Sequence, residues 1–345
     1  MPSLLIDHPG LRPLRAKFLT ACSTWGNYTF ELGWEGVARI DRLRPDPLVA
    51  TSAIIDWKER RKEPPHFRVP YETQPFCCVN FFLWELTKDD RYLEAIYEET
   101  KRWVAEAERD EAGNFLHDGR YLLLDRLQEY AGRCIRTGCL CNDVSLIDEG
   151  LRQWGSQAKI LRFASSGLWS QGCHWRGAGL RSPGAWSRGQ GWLLRGLSES
   201  LIDLPWEHRG HSLLRGLFKD AVDSLLETQG ADGAWHRILT QPADRSLPDS
   251  SGTGMIFAYM HRAKSCAWIE DSADLTNAIN GARDFLSKAL TEDGRIYHGC
   301  PGPGPLQSEA AYLGHELSSP VDEPHAIFAW FLAAALEYEY RSTPS

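Results

Sequence analysis

The stretch Trp186-Ser187-Arg188-Gly189-Gln190-Gly191-Trp192 runs on into Leu193, Leu194, Leu197 and Leu201. The leucines fall at helical spacing, so the segment reads as the first turns of a buried helix whose start carries something other than core. A guanidinium takes a carboxylate bidentately, and a tryptophan face covers a sugar ring or an apolar ligand. Gly189 and Gly191 let a neighbour approach the backbone closely. Together, Arg188, Trp186 and Trp192 predict a pocket for an acidic, ring-shaped molecule. The same residues also fit a glycine-rich helix start with two core tryptophans and a surface arginine.

The surrounding pattern extends that helix into a fold. Helical periodicity runs through about twelve segments: 11–23, 31–44, 47–62, 74–87, 90–109, 121–136, 143–161, 187–203, 210–228, 251–264, 271–289 and 323–341. No convincing run of alternating strand residues stands between them. The odd segments are charged and amphipathic, as outer helices are. The even ones are apolar almost all round, or open with Gly, Trp, His or Ser, as in G-W-E-G (33–36), V-N-F-F (79–82), S-S-G-T-G-M (250–255) and D-E-P-H-A (322–326). Long loops at 111–120, 163–186, 230–249 and 290–322 lead into the even helices. The expected fold is all-α: six helical hairpins closed into an (α/α)6 barrel, one domain over 1–345. Inner-helix N-termini then face one pocket, and their partial positive charge favours an anionic ligand. An open α-solenoid would need a shorter, regular repeat.

Composition sets the class of partner. The 345 residues are 43% hydrophobic and 24% charged, which is globular, and the net charge of −8 gives no footing for nucleic acid. Fourteen tryptophans exceed what core filling needs and fit an aromatic-lined cleft. The longest apolar run, Ala326–Leu336, is far short of a membrane span of ~20 residues. The N-terminus has no basic segment ahead of a long apolar core, so a cytoplasmic protein without a signal peptide is expected. Nine scattered cysteines fit reduced thiols. Cys134, Cys139 and Cys141 lie close together without a histidine pair at zinc-like spacing, so no metal site is expected. The alternating run K-E-R-R-K-E at 58–63 reads as a solvated helix end.

Asp125 is the candidate for chemistry. It lies in Y-L-L-L-D-R-L-Q (121–128), an apolar helix start where a carboxylate is costly unless paired or used. Desolvation raises its pKa and suits it to general acid work; pairing with Arg126 is the structural alternative. His117 precedes it in G-N-F-L-H-D-G-R. Gln171 and His174 lie in G-L-W-S-Q-G-C-H-W (167–175). Trp34, Asn80 and Trp235 join the candidate substrate-binding set because their segments open inner helices or the loops above them. Nucleophile-elbow, P-loop, dinucleotide-binding and H-E-x-x-H motifs are absent, and no cofactor is expected.

In order and spacing, G-W-E-G, V-N, G-N-F-L-H…D, G-L-W…G, W-S-R-G-Q-G-W, D-G-A-W-H…S-S-G-T-G-M and D-E-P-H-A resemble the unsaturated glycuronyl hydrolases. The likeness is to glycoside hydrolase family 105, the unsaturated rhamnogalacturonyl hydrolases, related to family 88, over about residues 25–340. The resemblance implies an (α/α)6 barrel. It implies a substrate left by a polysaccharide lyase, with a C4=C5 double bond in its non-reducing uronic acid. An Asp protonates C4, water adds at C5, and the resulting hemiketal opens with loss of the glycosidic bond. By position the Asp is Asp125, the carboxylate-binding arginine is Arg188, the stacking ring is Trp192, and His117 matches the histidine before the Asp.

The chain departs from the family pattern at three places. Cys78 stands where an Asp is common, Gln171 where a His is common, and Leu123 or Leu124 where a Trp often precedes the Asp; His174 is the candidate replacement for the histidine. With a like charge missing at Cys78, burial among Leu122, Leu123, Leu124 and Leu127 is left to keep Asp125 protonated. Two alternatives stand beside this reading. One is a barrel glycosidase on saturated uronides, which needs a second carboxylate such as Glu35, Asp249 or Asp322 facing Asp125. The other is a catalytically impaired sugar-binding homologue.

Overall fold

The alternation of charged and apolar helices is realised as an outer and an inner set. A computed structural model describes residues 4–21, 27–44, 78–174, 181–315 and 320–341. The outer helices are α1 (Leu11–Ala21), α4 (Asp90–Glu106), α6 (Val144–Leu161), α8 (Arg209–Leu226) and α10 (Ala273–Ala289). The inner ones are α2 (Asn27–Leu43), α3 (Cys78–Thr87), α5 (Leu124–Cys141), α7 (Ser187–Asp203), α9 (Ser250–Ser265) and α12 (Pro324–Tyr340). The sixth outer segment, 47–62, and the run at 58–63 lie outside the described residues.

Burial separates the two sets as amphipathicity requires. α7 and α12 are buried on every side for most of their length, whereas α8 and α10 bury one face each. Inner helices pack in sequence, α5 on α7, α7 on α9, α9 on α12, α12 on α2 and α2 on α3. An ion pair from Arg136 of α5 to Glu85 of α3 completes the ring. This is the six-hairpin barrel expected from the sequence. Close packing at the inner N-termini depends on glycine. A Cβ at Gly252 of α9 would fall 2.4 Å from Ser187 Oγ and 2.9 Å from the Arg188 amide nitrogen of α7.

Two expectations need correction. Residues 121–123 are not helical: β1 (Tyr121–Leu123) pairs antiparallel with β2 (Gly172–His174) in the register Tyr121↔His174, Leu122↔Cys173, Leu123↔Gly172. Three-residue strands are too short for a period-2 signal to stand out. The proposed long loop 290–322 contains a short helix, α11 (Glu309–His315). Cys134 is buried against Trp103, Phe115 and Tyr130 as ordinary core.

The lower interior of the barrel is filled with charge. Glu35 of α2 accepts from Arg39 Nε at 3.1 Å and from Arg195 Nη2 of α7 at 2.7 Å. Glu199 of α7 takes Arg136 of α5 at 2.8 Å and Arg262 of α9 at 2.9 Å. Burial alone would raise Glu35, but Arg195 and Arg39 outweigh it and hold the carboxyl below its ordinary range. Breaking such a pair leaves an uncompensated buried charge. Glu35→Gln is therefore expected to destabilise the fold by about 3–5 kcal/mol in a denaturant titration. A loss within the ~1 kcal/mol of a surface pair would mean that water reaches this network.

Candidate active site

The two inner helices that carry the candidate residues begin without side-chain caps. Leu123 at the start of α5 and Trp186 at the start of α7 provide none, whereas Asp249 caps α9 and Glu323 caps α12. Apolar residues at an N-cap leave the first-turn amides to other partners. The β1–β2 ribbon supplies one, since the Leu124 amide donates to the Gln171 carbonyl at 3.0 Å. Asp125 is thereby fixed as the second residue of α5.

Asp125 is partly exposed by surface area, yet protein encloses its carboxyl. Oδ1 is buried and has no hydrogen-bond partner among the described residues. It lies 3.7 Å from where a Cβ would stand at Gly189 of α7, so the missing side chain leaves room beside the carboxyl. Desolvation is the dominant influence and lifts the pKa to about 6; Arg188, then Arg126, oppose it. A carboxyl that exchanges its proton near neutrality, with one oxygen uncommitted, suits a general acid.

Arg188 stands within electrostatic reach of Asp125 but belongs to a second cluster. It is 1% exposed. Nη1 donates to Ser251 Oγ at 3.0 Å and to the Cys300 carbonyl at 2.7 Å, and lies 3.6 Å from Glu323 Oε2. The guanidinium carbon sits 4.3 Å from the centre of the Trp186 ring. Glu323 also accepts from the Ala326 amide at 2.9 Å and contacts His325 Nδ1 at 2.7 Å. Burial would raise Glu323, but Arg188 and then His325 bring it down to about 2, so it is an anion throughout the working range. Asp249 ties the floor together, accepting from Ser187 Oγ at 2.8 Å and Ser251 Oγ at 2.6 Å.

The proline- and glycine-rich segment after Cys300 crosses this end of the barrel. Gln171 Nε2 donates to the Pro303 carbonyl at 2.6 Å, and Ser182 Oγ to the Leu306 carbonyl at 2.7 Å. Tyr312 of α11 donates its hydroxyl to Gln171 Oε1 at 2.7 Å and meets Ser182 Oγ at short range. Both ends of the Gln171 carboxamide are thus engaged, so this residue fastens the segment instead of offering a side chain to a ligand. Burial raises the Tyr312 phenol above its ordinary range, and Asp125 adds to the shift, which puts this strap within reach of the acid. Gly302 also comes close: a Cβ there would lie 2.9 Å from Arg188 Nη2.

The remaining candidates divide. His174 packs edge-on against Tyr121 at 4.8 Å, and its Nδ1 has no hydrogen-bond partner among the described residues. His117 has its Nε2 3.3 Å from Asp118 Oδ2, in the loop before β1. Trp192 lies one turn below Arg188, 2% exposed and stacked on Phe328 of α12 at 6.1 Å. Trp34 packs edge-on against Phe18 at 5.8 Å within the core. Trp235 needs correction: its backbone borders α9, but its ring is fully buried and its indole N–H donates to the Leu225 carbonyl of α8 at 2.9 Å. The side chains of Asn80 and Cys78 lie outside the described residues. The three proposed second carboxylates are all engaged elsewhere. Glu35 is paired in the interior, Asp249 caps α9, and Asp322 Oδ1 accepts the Ile296 amide at 2.8 Å. Sequence reasoning passed over Glu323 and Tyr312. D-E-P-H-A was a visible signal for the first, and nothing local marked the second.

Comparison with known proteins gives this barrel its class. The model of Glycosyl Hydrolase Family 88 matches residues 17–341. The chain belongs to that family and is a glycoside hydrolase. It is 23% identical over 239 residues to the unsaturated rhamnogalacturonyl hydrolase YesR of Bacillus subtilis (strain 168), covering 67% of each chain. Its fold is similar to that of a family 105 glycoside hydrolase from C. acetobutylicum ATCC 824, with a TM-score of 0.79 and 20% identity over 96% of this chain and 98% of that one. It is also similar to an unsaturated glucuronyl hydrolase specific for heparin, with a TM-score of 0.73 and 14% identity over 98% and 97%.

Proposed function

We propose that this enzyme removes a 4,5-unsaturated uronic acid from the non-reducing end of lyase-generated oligosaccharides, of rhamnogalacturonan type, by hydrating the C4=C5 bond. The observation that carries the reading is Asp125: a carboxyl lifted to about 6, with an uncommitted oxygen, beside the Arg188 cation. Family membership and the relative acting on unsaturated rhamnogalacturonides support it.

Asp125 in its acid form gives its proton to C4, and the carboxylate left behind takes a proton from the water that adds at C5. The C5 hydroxyl so formed makes a hemiketal, whose C5–O5 bond breaks to give the C5 ketone and a hemiacetal at C1. That hemiacetal collapses to the C1 aldehyde as the glycosidic oxygen takes its proton and leaves as an alcohol. One carboxyl serves both transfers, unlike the paired carboxylates of ordinary glycosidases. Arg188 receives the uronate carboxylate, and Trp192 supports the ring from below. His117, His174 and Trp186 complete the surroundings of the sugar. We assign the whole chain to one catalytic domain. No described helix is long and apolar enough to cross a membrane, and a cytoplasmic site of action fits the reading.

The test is the ultraviolet absorbance of the unsaturated uronate, followed with rhamnogalacturonan- and glucuronan-type substrates. Loss of absorbance with release of the aglycone is the expected result. Release of a saturated uronate, or binding with the absorbance unchanged, would overturn it. The pH dependence follows from Asp125. Its raised pKa keeps the acid form present below about 6, and activity should fall as pH rises through that value. A rate that climbs between pH 6 and 8 would contradict Asp125 as the proton donor.

A further inference from the structure

One buried carboxylate near the site is not used by the mechanism above. Glu129 is one turn beyond Asp125 on α5 and is 4% exposed. Residues four apart share a helix face. Oε2 accepts from Arg126 Nη1 at 2.8 Å, while Oε1 is buried with no hydrogen-bond partner among the described residues. Arg126 is adjacent to Asp125, and its charge interacts with both carboxylates. A buried acid with half its acceptors unused is costly to keep, and the simpler salt bridge between exposed groups is not what stands here.

We propose that Glu129 is a positioning residue for the reaction: by holding the Arg126 guanidinium against its own carboxylate, it limits how closely Arg126 can approach and stabilise ionised Asp125. The groups facing Asp125 are Arg126 on its own helix, Arg188 from α7 and Tyr312 from α11, with Glu323 and His325 of α12 behind Arg188. Those facing Glu129 are Arg126, Tyr130 and Arg133 on α5 and Glu99 from α4. Arg188 is already balanced by Glu323. Among the described residues Arg126 is a second cation beside the acid, and Glu129 holds its guanidinium. Burial pushes Glu129 itself up, with Arg126 and Arg133 opposing.

This inference rests on Asp125 being the acid, and the experiment separates the two. The Asp125 carboxyl is titrated by carbon NMR in protein labelled at Asp, its resonance identified by its absence from Asp125→Asn, and the pH–rate profile is measured in parallel. Glu129→Gln is expected to lower the Asp125 midpoint and the alkaline limb together by about one pH unit, because the released guanidinium can turn toward Asp125 and favour its carboxylate. Arg126→Gln should move both upward. In the Arg126→Gln background, Glu129→Gln should then have little further effect, since its route to Asp125 has been removed. Equal shifts in both backgrounds would overturn the proposal and make Glu129 a direct electrostatic neighbour. An unmoved Asp125 midpoint in a folded Glu129→Gln protein would overturn it too. If instead the midpoint moves and the alkaline limb does not, the role of Asp125 as acid fails while the pairing stands.

Discussion

Asp125→Asn is expected to lower turnover on an unsaturated uronide by about 10²–10⁴-fold, with the substrate still bound. The amide keeps the shape of the carboxyl and cannot give up a proton, so the loss should appear in kcat far more than in KM. A second effect should accompany it. The folded-state pKa of about 6 lies above the ordinary 3.8, so folding favours the protonated acid. The ionised form therefore weakens the fold. This cost is absent well below pH 3.8, grows as pH rises toward 6, and is complete above it. By that linkage the Asn variant should be more stable than the native protein by up to about 3 kcal/mol at pH 8, with the gap closing at pH 4. Near-native turnover in Asp125→Asn would remove Asp125 from the mechanism. A pH-independent stability gap would place its carboxyl in water.

Arg188→Lys should cut kcat/KM by about 10–100-fold although the charge is retained, following the ~1.5–3 kcal/mol of a charged hydrogen bond. The guanidinium sits over the Trp186 ring while serving Ser251, Cys300 and Glu323. An ammonium has no plane to stack and cannot repeat that spread of donors. Loss of the Cys300 contact would also loosen the segment that Gln171 and Ser182 fasten across the site. The loss should be mostly in KM, read from initial rates over a range of substrate. A lysine variant with unchanged KM and kcat would show that the uronate carboxylate is held elsewhere.

Much of the fold was legible because inner and outer helices carry different sequence textures. Helices α7, α9 and α12 are buried on nearly every side and read as apolar almost all round or as opening with Gly, Trp, His or Ser; α4 and α10 bury one face and read as amphipathic. The strands at 121–123 and 172–174 escaped because three residues hold no periodicity. Asp125 stood out as a lone charge in a leucine run, and Arg188 as a cation between tryptophans. Gly189 and Gly191 signalled close approach, but the structure divides their tasks. Gly189 leaves room beside Asp125, whereas a Cβ at Gly191 would fall 2.6 Å from that of Met255 on α9. Glu323, Tyr312 and Glu129 were missed because their importance comes from neighbours far along the chain, or from a missing partner, neither of which spacing can express. Trp235 was misjudged for the converse reason: an aromatic next to a polar residue looks alike whether its ring faces a cleft or a neighbouring helix.

The charged interior also decides traffic. Arg195 is seven residues beyond Arg188 on α7, and Arg136 eleven beyond Asp125 on α5, so the ion pairs lie roughly 10–16 Å deeper along the helix axes. With Glu35, Arg195, Glu199 and Arg262 interlocked there, the described residues make the interior beneath the site a cup and not a tunnel. A polymer cannot thread through a cup; only its tip fits. On the proposed reaction, a chain would then arrive end-first and back out the way it came, so each visit would trim one terminal unit before the next guest is seated.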